Sequence, residues 1–411
     1  MRKLLLICCI CLSCLFANAQ LNKELTDFQT YSREMSQKVS EASKTKNNEA
    51  GIAETNEWLD HYNNLSPEAK KSMMDFTQNM YYNLACFSSL EGKKAVAIIY
   101  FKRSIAEGFS DYKHASVDSD LDNIRNESKF KDALQQLHDK FDYGYILKQA
   151  GPYTNSTAAL PAFTYQSSSA PELVELKTKF NLDSVSGNGD EISRMKNLLH
   201  WVHNEIRHDG NSGNPKSKNA ADLIAVCKKE NRGVNCRMMA TTLRDVYQAE
   251  GFQARIVTCM PKDTNDFDCH VINVVWSKTL NKWLWMDPTF NAYVSDSKGN
   301  LLNIEEVRER LVKGSDDLVL NDDANWNNKE KETKDYYLGY YMSKNLYWIK
   351  CSAKSEWDLE TRKPGMASIE YINLYPGNYT TIFQPKKANG DMVEYAANNP
   401  VYFWQKPQII N

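Results

Sequence analysis

Cys236, His270 and Asp287 follow one another in the second half of the chain, and together they carry the groups needed to attack a carbonyl. A thiol becomes a nucleophile when an imidazole takes its proton. A carboxylate holds that imidazole in place and stabilises its charged form. Cys236 follows Asn235, a residue type that caps helices, and precedes "RMMATTLRDVYQAEG", in which Met239, Ala240, Leu243, Val246 and Tyr247 form an apolar stripe ending at Gly251. The sulfur would then sit beside the unpaired amides and positive dipole end of a helix, which favours thiolate over thiol. Of the seven histidines only His270 lies downstream of the cysteine, and Asp287 comes seventeen residues after it.

These three residues need a scaffold. "FQARIVTCM", "CHVINVVWS" and "KWLWMDPTF" are rich in β-branched and aromatic residues with alternating sides, which predicts three consecutive strands. His270 and Asp287 on adjacent antiparallel strands can hydrogen-bond side by side. Upstream, "DEISRMKNLLHWVHNEIRHDG" carries Ile192, Met195, Leu198, Leu199, Val202 and Ile206 on one helical face. Helix, helix, then antiparallel strands predicts an α+β domain.

"GVNCRMMATTLRDVYQAEGFQARIV", "DCHVINVVW", "WLWMDPTF" and the upstream "WVHNEIRHDG" resemble the transglutaminase-like superfamily over about 190–290. The resemblance implies a papain-like fold with the cysteine helix packed on an antiparallel sheet. It also implies Cys236 as nucleophile, His270 as general base and acid, Asp287 as the orienting carboxylate and the Cys236 backbone N–H as an oxyanion donor. The chain departs from the family in two places. Its glycine, Gly233, stands one position further from the cysteine than in many relatives, and His208 occupies a place where relatives often carry a tyrosine.

Other constellations carry less chemistry. Cys269 beside His270 suggests zinc, but no Cys-x-x-Cys or His-x-x-x-His spacing accompanies it, so no metal ligand is assigned. No calcium loop is recognisable and no cofactor is expected. His200, His203 and His208 read as one polar helix edge, and the run Asp316, Asp317, Asp322 and Asp323 as a solvated loop. Cys259 and Cys269 could bridge across a hairpin, although free thiols are preferred for most of Cys86, Cys227, Cys236, Cys259, Cys269 and Cys351.

The rest of the chain frames this domain. Its 411 residues imply two or three domains, and 50 basic against 52 acidic side chains argue against a nucleic-acid partner. "MRKLLLICCICLSCLFANAQ" reads as a signal peptide over 1–19, with Ala17-Asn18-Ala19 as the cleavage site; a lipid-modified Cys14 is the lesser alternative. No transmembrane segment follows, so export to the periplasm or the exterior is expected. Residues 20–150 read as a helical domain. Within it, "YNLAC…G…A…YF…I…G" resembles a tetratricopeptide repeat, implying a possible protein partner. A Pro/Ser/Thr-rich linker follows over 151–172, then the α+β domain over 173–320 and a β-rich region over 321–411. Two functions are compatible with this reading. One is a cysteine-dependent acyl-transfer enzyme on peptide or protein amides, either a peptidase or amidase or a transglutaminase. The other is an inactive peptide- or protein-binding scaffold on the same fold.

Overall fold

The computed structural model describes residues 2–154, 159–379 and 386–408; side chains are described from Gln20 onward, except at 386, 387 and 389. The signal-peptide reading of 1–19 and its alternative at Cys14 therefore fall outside the described side chains. Residues 155–158 of the expected linker also lie outside the description. Among the described residues no helix is long and apolar enough to cross a membrane.

The chain divides into two compact units, Met1–Asp142 and Tyr143–Asn411. The first is helical: α1 (Arg2–Lys44), α2 (Asn48–Asn63), α3 (Pro67–Met73), α4 (Thr77–Leu90), α5 (Lys94–Ala106), α6 (Tyr112–Val117) and α7 (Ser128–Phe141). Gly92, at φ +70°, turns α4 into α5. Tyr82, Ala85 and Cys86 then meet Ala97, Ile98 and Phe101 in one buried cluster.

The second unit opens with α8 (Tyr143–Gln149), β1 (Thr164–Tyr165), α9 (Pro171–Lys179), α10 (Leu182–Ser186), α11 (Glu191–Glu205), α12 (Ala220–Glu230) and α13 (Cys236–Ala249). Strands β2 (Ala254–Met260), β3 (His270–Ser277), β4 (Lys282–Met286) and β5 (Val294–Asp296) follow. Then come α14 (Ile304–Lys313), β6 (Leu318–Leu320), β7 (Asn325–Trp326), β8 (Glu330–Lys331), a π-helical turn at Asp335–Met342 and α15 (Ser343–Asn345). The unit closes with β9 (Trp348–Ser352), β10 (Lys354–Ser355), β11 (Ile369–Leu374), β12 (Lys386–Asn389), β13 (Met392–Ala397) and α16 (Pro400–Phe403).

One seven-stranded sheet organises this unit, in the order β12-β13-β11-β9-β2-β3-β4. It is antiparallel except where β11 runs parallel to β13. Residues of the C-terminal stretch thus complete the sheet that carries the cysteine helix. The stretch is not wholly β: its Tyr-rich 335–345 segment is helical and packs under the sheet through Tyr337, Leu338 and Met342. In the stretch expected as a linker, β1 pairs with β10 and α9 begins at Pro171.

The three expected strands form, and they are buried on both faces. All eight residues of β3 are buried. Ile272 and Val274 enter a core shared with α8, α14 and Tyr337, while Val275 enters another with Leu243, Val246 and Tyr247 of α13. Helix α13 is likewise buried on all sides from Met238 to Ala249, not only along its apolar stripe. Its polar groups are neutralised in place. Arg244 pairs with Asp245 Oδ1 at 2.6 Å, Asp245 Oδ2 accepts the Ala220 amide at 2.9 Å, and Gln248 donates to Ser355 O at 2.7 Å.

Candidate active site

Helix α13 begins at Cys236 because Asn235 caps it: the Asn235 side chain accepts the Met238 amide at 3.2 Å. The first turn is tied down by Arg237, which donates to Thr258 Oγ1 of β2 at 2.8 Å and pairs with Glu360 at 2.7 Å. Cys236 is only partly covered, whereas Met238 onward is enclosed.

His270 opens β3, opposite Cys259 of β2 in the pairing register. The loop ahead of it is anchored by the buried Lys344, whose ammonium bonds Asp266 at 2.8 Å and both the carbonyl and carboxylate of Asp268. Asp287 lies one residue beyond β4, in a bridge with Ala292. Its carboxylate is fully buried, and His270 is 1% exposed. His270 Nε2 lies 2.7 Å from Asp287 Oδ2, and Nδ1 is the nitrogen left for other partners. Tyr341 Oη approaches that Nδ1 at 3.4 Å. Asp287 has its own supports: Tyr337 donates to Oδ2 at 2.6 Å and the Thr289 amide to Oδ1 at 2.9 Å.

His270 and Asp287 thus meet, and the His208 and His270 imidazoles both lie near enough to act on the Cys236 thiol. Burial works to raise the Cys236 thiol, but the two histidines outweigh it and hold it down at about 6. Burial works to lower His270, but the charge and hydrogen bond of Asp287, followed by Cys236, raise it to about 10. The arrangement stabilises a thiolate–imidazolium pair. The other thiols move the opposite way: burial raises Cys259, Cys269 and Cys351. All six are free, so the Cys259–Cys269 bridge that hairpin spacing allowed is absent.

The reading of His200, His203 and His208 as one polar helix edge needs correction. Helix α11 ends at Glu205, and extended backbone at Ile206 carries the chain out of the helix before His208. His203 is buried, with its ring nitrogens 3.0 Å from Pro288 O and 3.0 Å from Asn325 Oδ1, so it fastens the turn after Asp287. His208 lies beyond the helix, in a short parallel bridge with Val234, two residues before Cys236. Tyr337 and Tyr341 are further residues of the site that local pattern could not reveal. Both come from the π-helical turn, fifty or more residues after Asp287 in the case of Tyr337 and Tyr341 alike.

A cleft of about 610 Å³ opens beside His270, lined by Phe290, Trp326, Glu330, Glu332, Tyr336 and Tyr341 among others. The Phe290 and Tyr341 rings stand 5.5 and 5.2 Å from the His270 ring. Among the described residues one group has metal-ligating geometry, Cys86, Asp118 and Asp120 of the helical unit. Its central carboxylate is engaged by Tyr82 Oη at 2.7 Å, and burial drives the Cys86 thiol strongly upward, away from the thiolate a metal would need.

Comparison with known proteins agrees with the residues that suggested a family. Residues 178–288 match the family model described as the Transglutaminase-like superfamily, a span that contains α11, α13, β2 to β4 and Cys236, His270 and Asp287. Among curated proteins there is no match. A solved structure named "Putative Cysteine Protease from Cytophaga hutchinsonii" aligns with 36% of this chain and 46% of its own, at 17% identity and a TM-score of 0.24. The chain therefore spans less than half of that protein. By the match over 178–288, the second unit of this chain contains a domain of the transglutaminase-like superfamily.

Proposed function

We propose that the protein is an exported cysteine-dependent acyl-transfer enzyme, with Cys236 as nucleophile, His270 as proton carrier and Asp287 as the group that orients and charges it. The observation that carries this reading is the buried 2.7 Å pair of His270 Nε2 and Asp287 Oδ2, set against a thiol at the first turn of a capped helix. With Nε2 occupied, His270 presents Nδ1 to the sulfur and to the bound substrate.

The steps follow from these groups. The Cys236 thiolate attacks an amide carbonyl, forming a C–S bond while the carbonyl π pair moves onto oxygen. The Cys236 backbone N–H, first in the helix, is a donor for that oxygen. Collapse breaks the C–N bond, and the imidazolium of His270 gives its proton to the departing amine. Water, deprotonated by neutral His270, then attacks the thioester and the thiolate leaves. An amine in place of water would make the same site a transglutaminase. Hydrolysis is favoured because water needs no dedicated site. The aromatic and acidic cleft beside His270 suits a peptide chain, and the helical first unit suits a partner or protein substrate.

The test is to incubate wild type and Cys236→Ala with a mixture of peptide amides and follow both protein and peptides by mass spectrometry. A covalent acyl adduct on Cys236 and release of amine, both lost in Cys236→Ala and His270→Ala, are expected. Peptides left intact, with no adduct and with Cys236 alkylating no faster than Cys269, would assign the domain to the non-catalytic binding role instead.

A further inference from the structure

The cleft beside His270 is walled by aromatic rings and by carboxylates. Phe290 and Tyr341 line it and stand 5.5 and 5.2 Å from the His270 ring, centroid to centroid. Tyr341 also brings its hydroxyl to 3.4 Å from His270 Nδ1, the nitrogen that Asp287 leaves free. The cleft therefore opens on the histidine that carries protons in the proposed reaction. The fragment that must meet this histidine is the departing amine, which takes its proton as the C–N bond breaks.

A small hairpin supplies the acid. Trp326 of β7 pairs with Glu330 of β8, so the two side chains stand side by side on one face. The Glu332 amide donates to Ala324 O at 2.9 Å, which continues the ladder and returns Glu332 to the same face. Both glutamates border the cleft, and among the described residues neither carboxylate has an ion pair or a hydrogen bond. Asp268, the third acid of the lining, is already bound by Lys344 at 3.0 Å. The lining holds one cation, the exposed Lys331, so a negative excess remains.

Glu332 carries the consequence. It is partly buried, and burial, then the charges of Asp287 and Glu330, raise its carboxyl above the ordinary value. A cation seated in the cleft would relieve that cost, and the walls suit one. Tyr336 and Tyr341 stack with 4° between their planes, and Trp326 stands across the same cleft. Aromatic faces attract a cation and cover the aliphatic stem that carries it. An acidic side chain would be repelled here, and an apolar one would leave both glutamates unanswered.

We infer that this cleft selects substrates with a basic side chain, of the lysine or arginine kind, on the amine side of the cleaved bond. Glu330 and Glu332 are its counter-charges, and Trp326 and Tyr336 flank its stem. The side of the bond assigned to the cleft rests on the acyl-transfer reading; the preference for a cation rests on the cleft itself.

The test gives the full chain paired peptides, acetyl-X-lysine amide and acetyl-X-norleucine amide, with X running through the natural residues. Norleucine keeps the stem of lysine and drops its charge. The lysine member of each cleaved pair should show a kcat/KM about tenfold higher, the effect of one charge-assisted hydrogen bond. Glu332→Gln should bring that ratio toward one, and Glu332→Lys should favour acetyl-X-glutamate amide over the lysine peptide. Equal rates for lysine and norleucine in the wild type, or a lysine preference untouched by Glu332→Lys, overturn the inference. Failure to cleave any peptide, with no adduct on Cys236, counts against acyl transfer and not against the cleft. Calorimetry of the same pairs on Cys236→Ala then decides: tighter binding of lysine that weakens in Glu332→Gln supports the assignment, and equal affinities overturn it.

Discussion

Tyr337 Oη and His270 Nε2 share one oxygen, Asp287 Oδ2, at 2.6 and 2.7 Å. Tyr337 also accepts the indole N–H of Trp285 at 3.1 Å, and all four side chains are at most 1% exposed. Tyr337→Phe removes the donor to Asp287 and strands the Trp285 N–H in a dry core. Loss of stability of about 2 kcal/mol is expected from an unsatisfied buried donor. Asp287, deprived of one donor, should hold the His270 proton more tightly. Urea unfolding and the pH titration of the His270 ring check both. An unchanged unfolding midpoint would show that the tyrosine is a spectator.

The pH dependence follows from Cys236 and His270 together. Cys236 is held at about 6, below an unfolded thiol at about 8.5, so its thiolate adds stability above that value and loses it as pH falls through about 6. His270 is raised to about 10, above an unfolded imidazole at about 6.5, so its contribution is complete below that value and is lost as pH rises through about 10. The thiolate–imidazolium pair therefore occupies the window from about 6 to about 10. Iodoacetamide labelling of Cys236 should rise with a midpoint near 6 and shift upward in His270→Ala. A single midpoint at the ordinary thiol value in the wild type would contradict this ion pair.

Part of this site could be read from the chain because it depends on local chemistry. Asn235 as a cap, the helix after Cys236, and His270 and Asp287 flanking paired strands all follow from side-chain type and short spacing. The remainder depends on contacts between distant residues. Tyr337 reaches Asp287 from fifty residues away, through a π-helical turn in a stretch whose Tyr-rich composition suggested strands. His208 accepts the indole N–H of Trp326, 118 residues on, and no periodicity links the two. The enclosure of α13 was hidden for a different reason. Arg244, Asp245 and Gln248 look like a solvated face until their partners are known.

Arg255 is a buried cation whose described contacts are uncharged. It is 1% exposed, donates to Tyr165 Oη and Phe403 O at 2.5 Å each, and lies 3.8 Å from the Phe163 ring centroid and 4.4 Å from that of Trp283. The planar guanidinium meets rings on its faces and acceptors at its edge, a combination an ammonium cannot reproduce. Arg255→Lys should therefore destabilise the second unit by about 2–4 kcal/mol, in the range for disturbing a buried charge. Thermal unfolding with and without the substitution measures this. A loss below about 0.5 kcal/mol, typical of surface changes, would mean the site tolerates the exchange.

Gly233 packs closely against the 207–209 segment, which bridges to Val234 two residues before Cys236. A methyl group there would stand 2.6 Å from Asp209 Cβ and 2.7 Å from Arg207 O, inside any tolerated contact. The bridge between Val234 and His208 must therefore open, or the segment around 207–209 must shift, in Gly233→Ala. Overpacking of this kind costs about 1–3 kcal/mol. More telling is the expected effect on chemistry, since displacement of His208 weakens its lowering effect on the Cys236 thiol while Cys236, His270 and Asp287 stay on their own elements. Alkylation of Cys236 at pH 6 should slow to the level of His208→Phe, and adding His208→Phe to Gly233→Ala should slow it no further. Additive losses in the double variant would show that the two changes act independently, and that the glycine serves the fold rather than the sulfur.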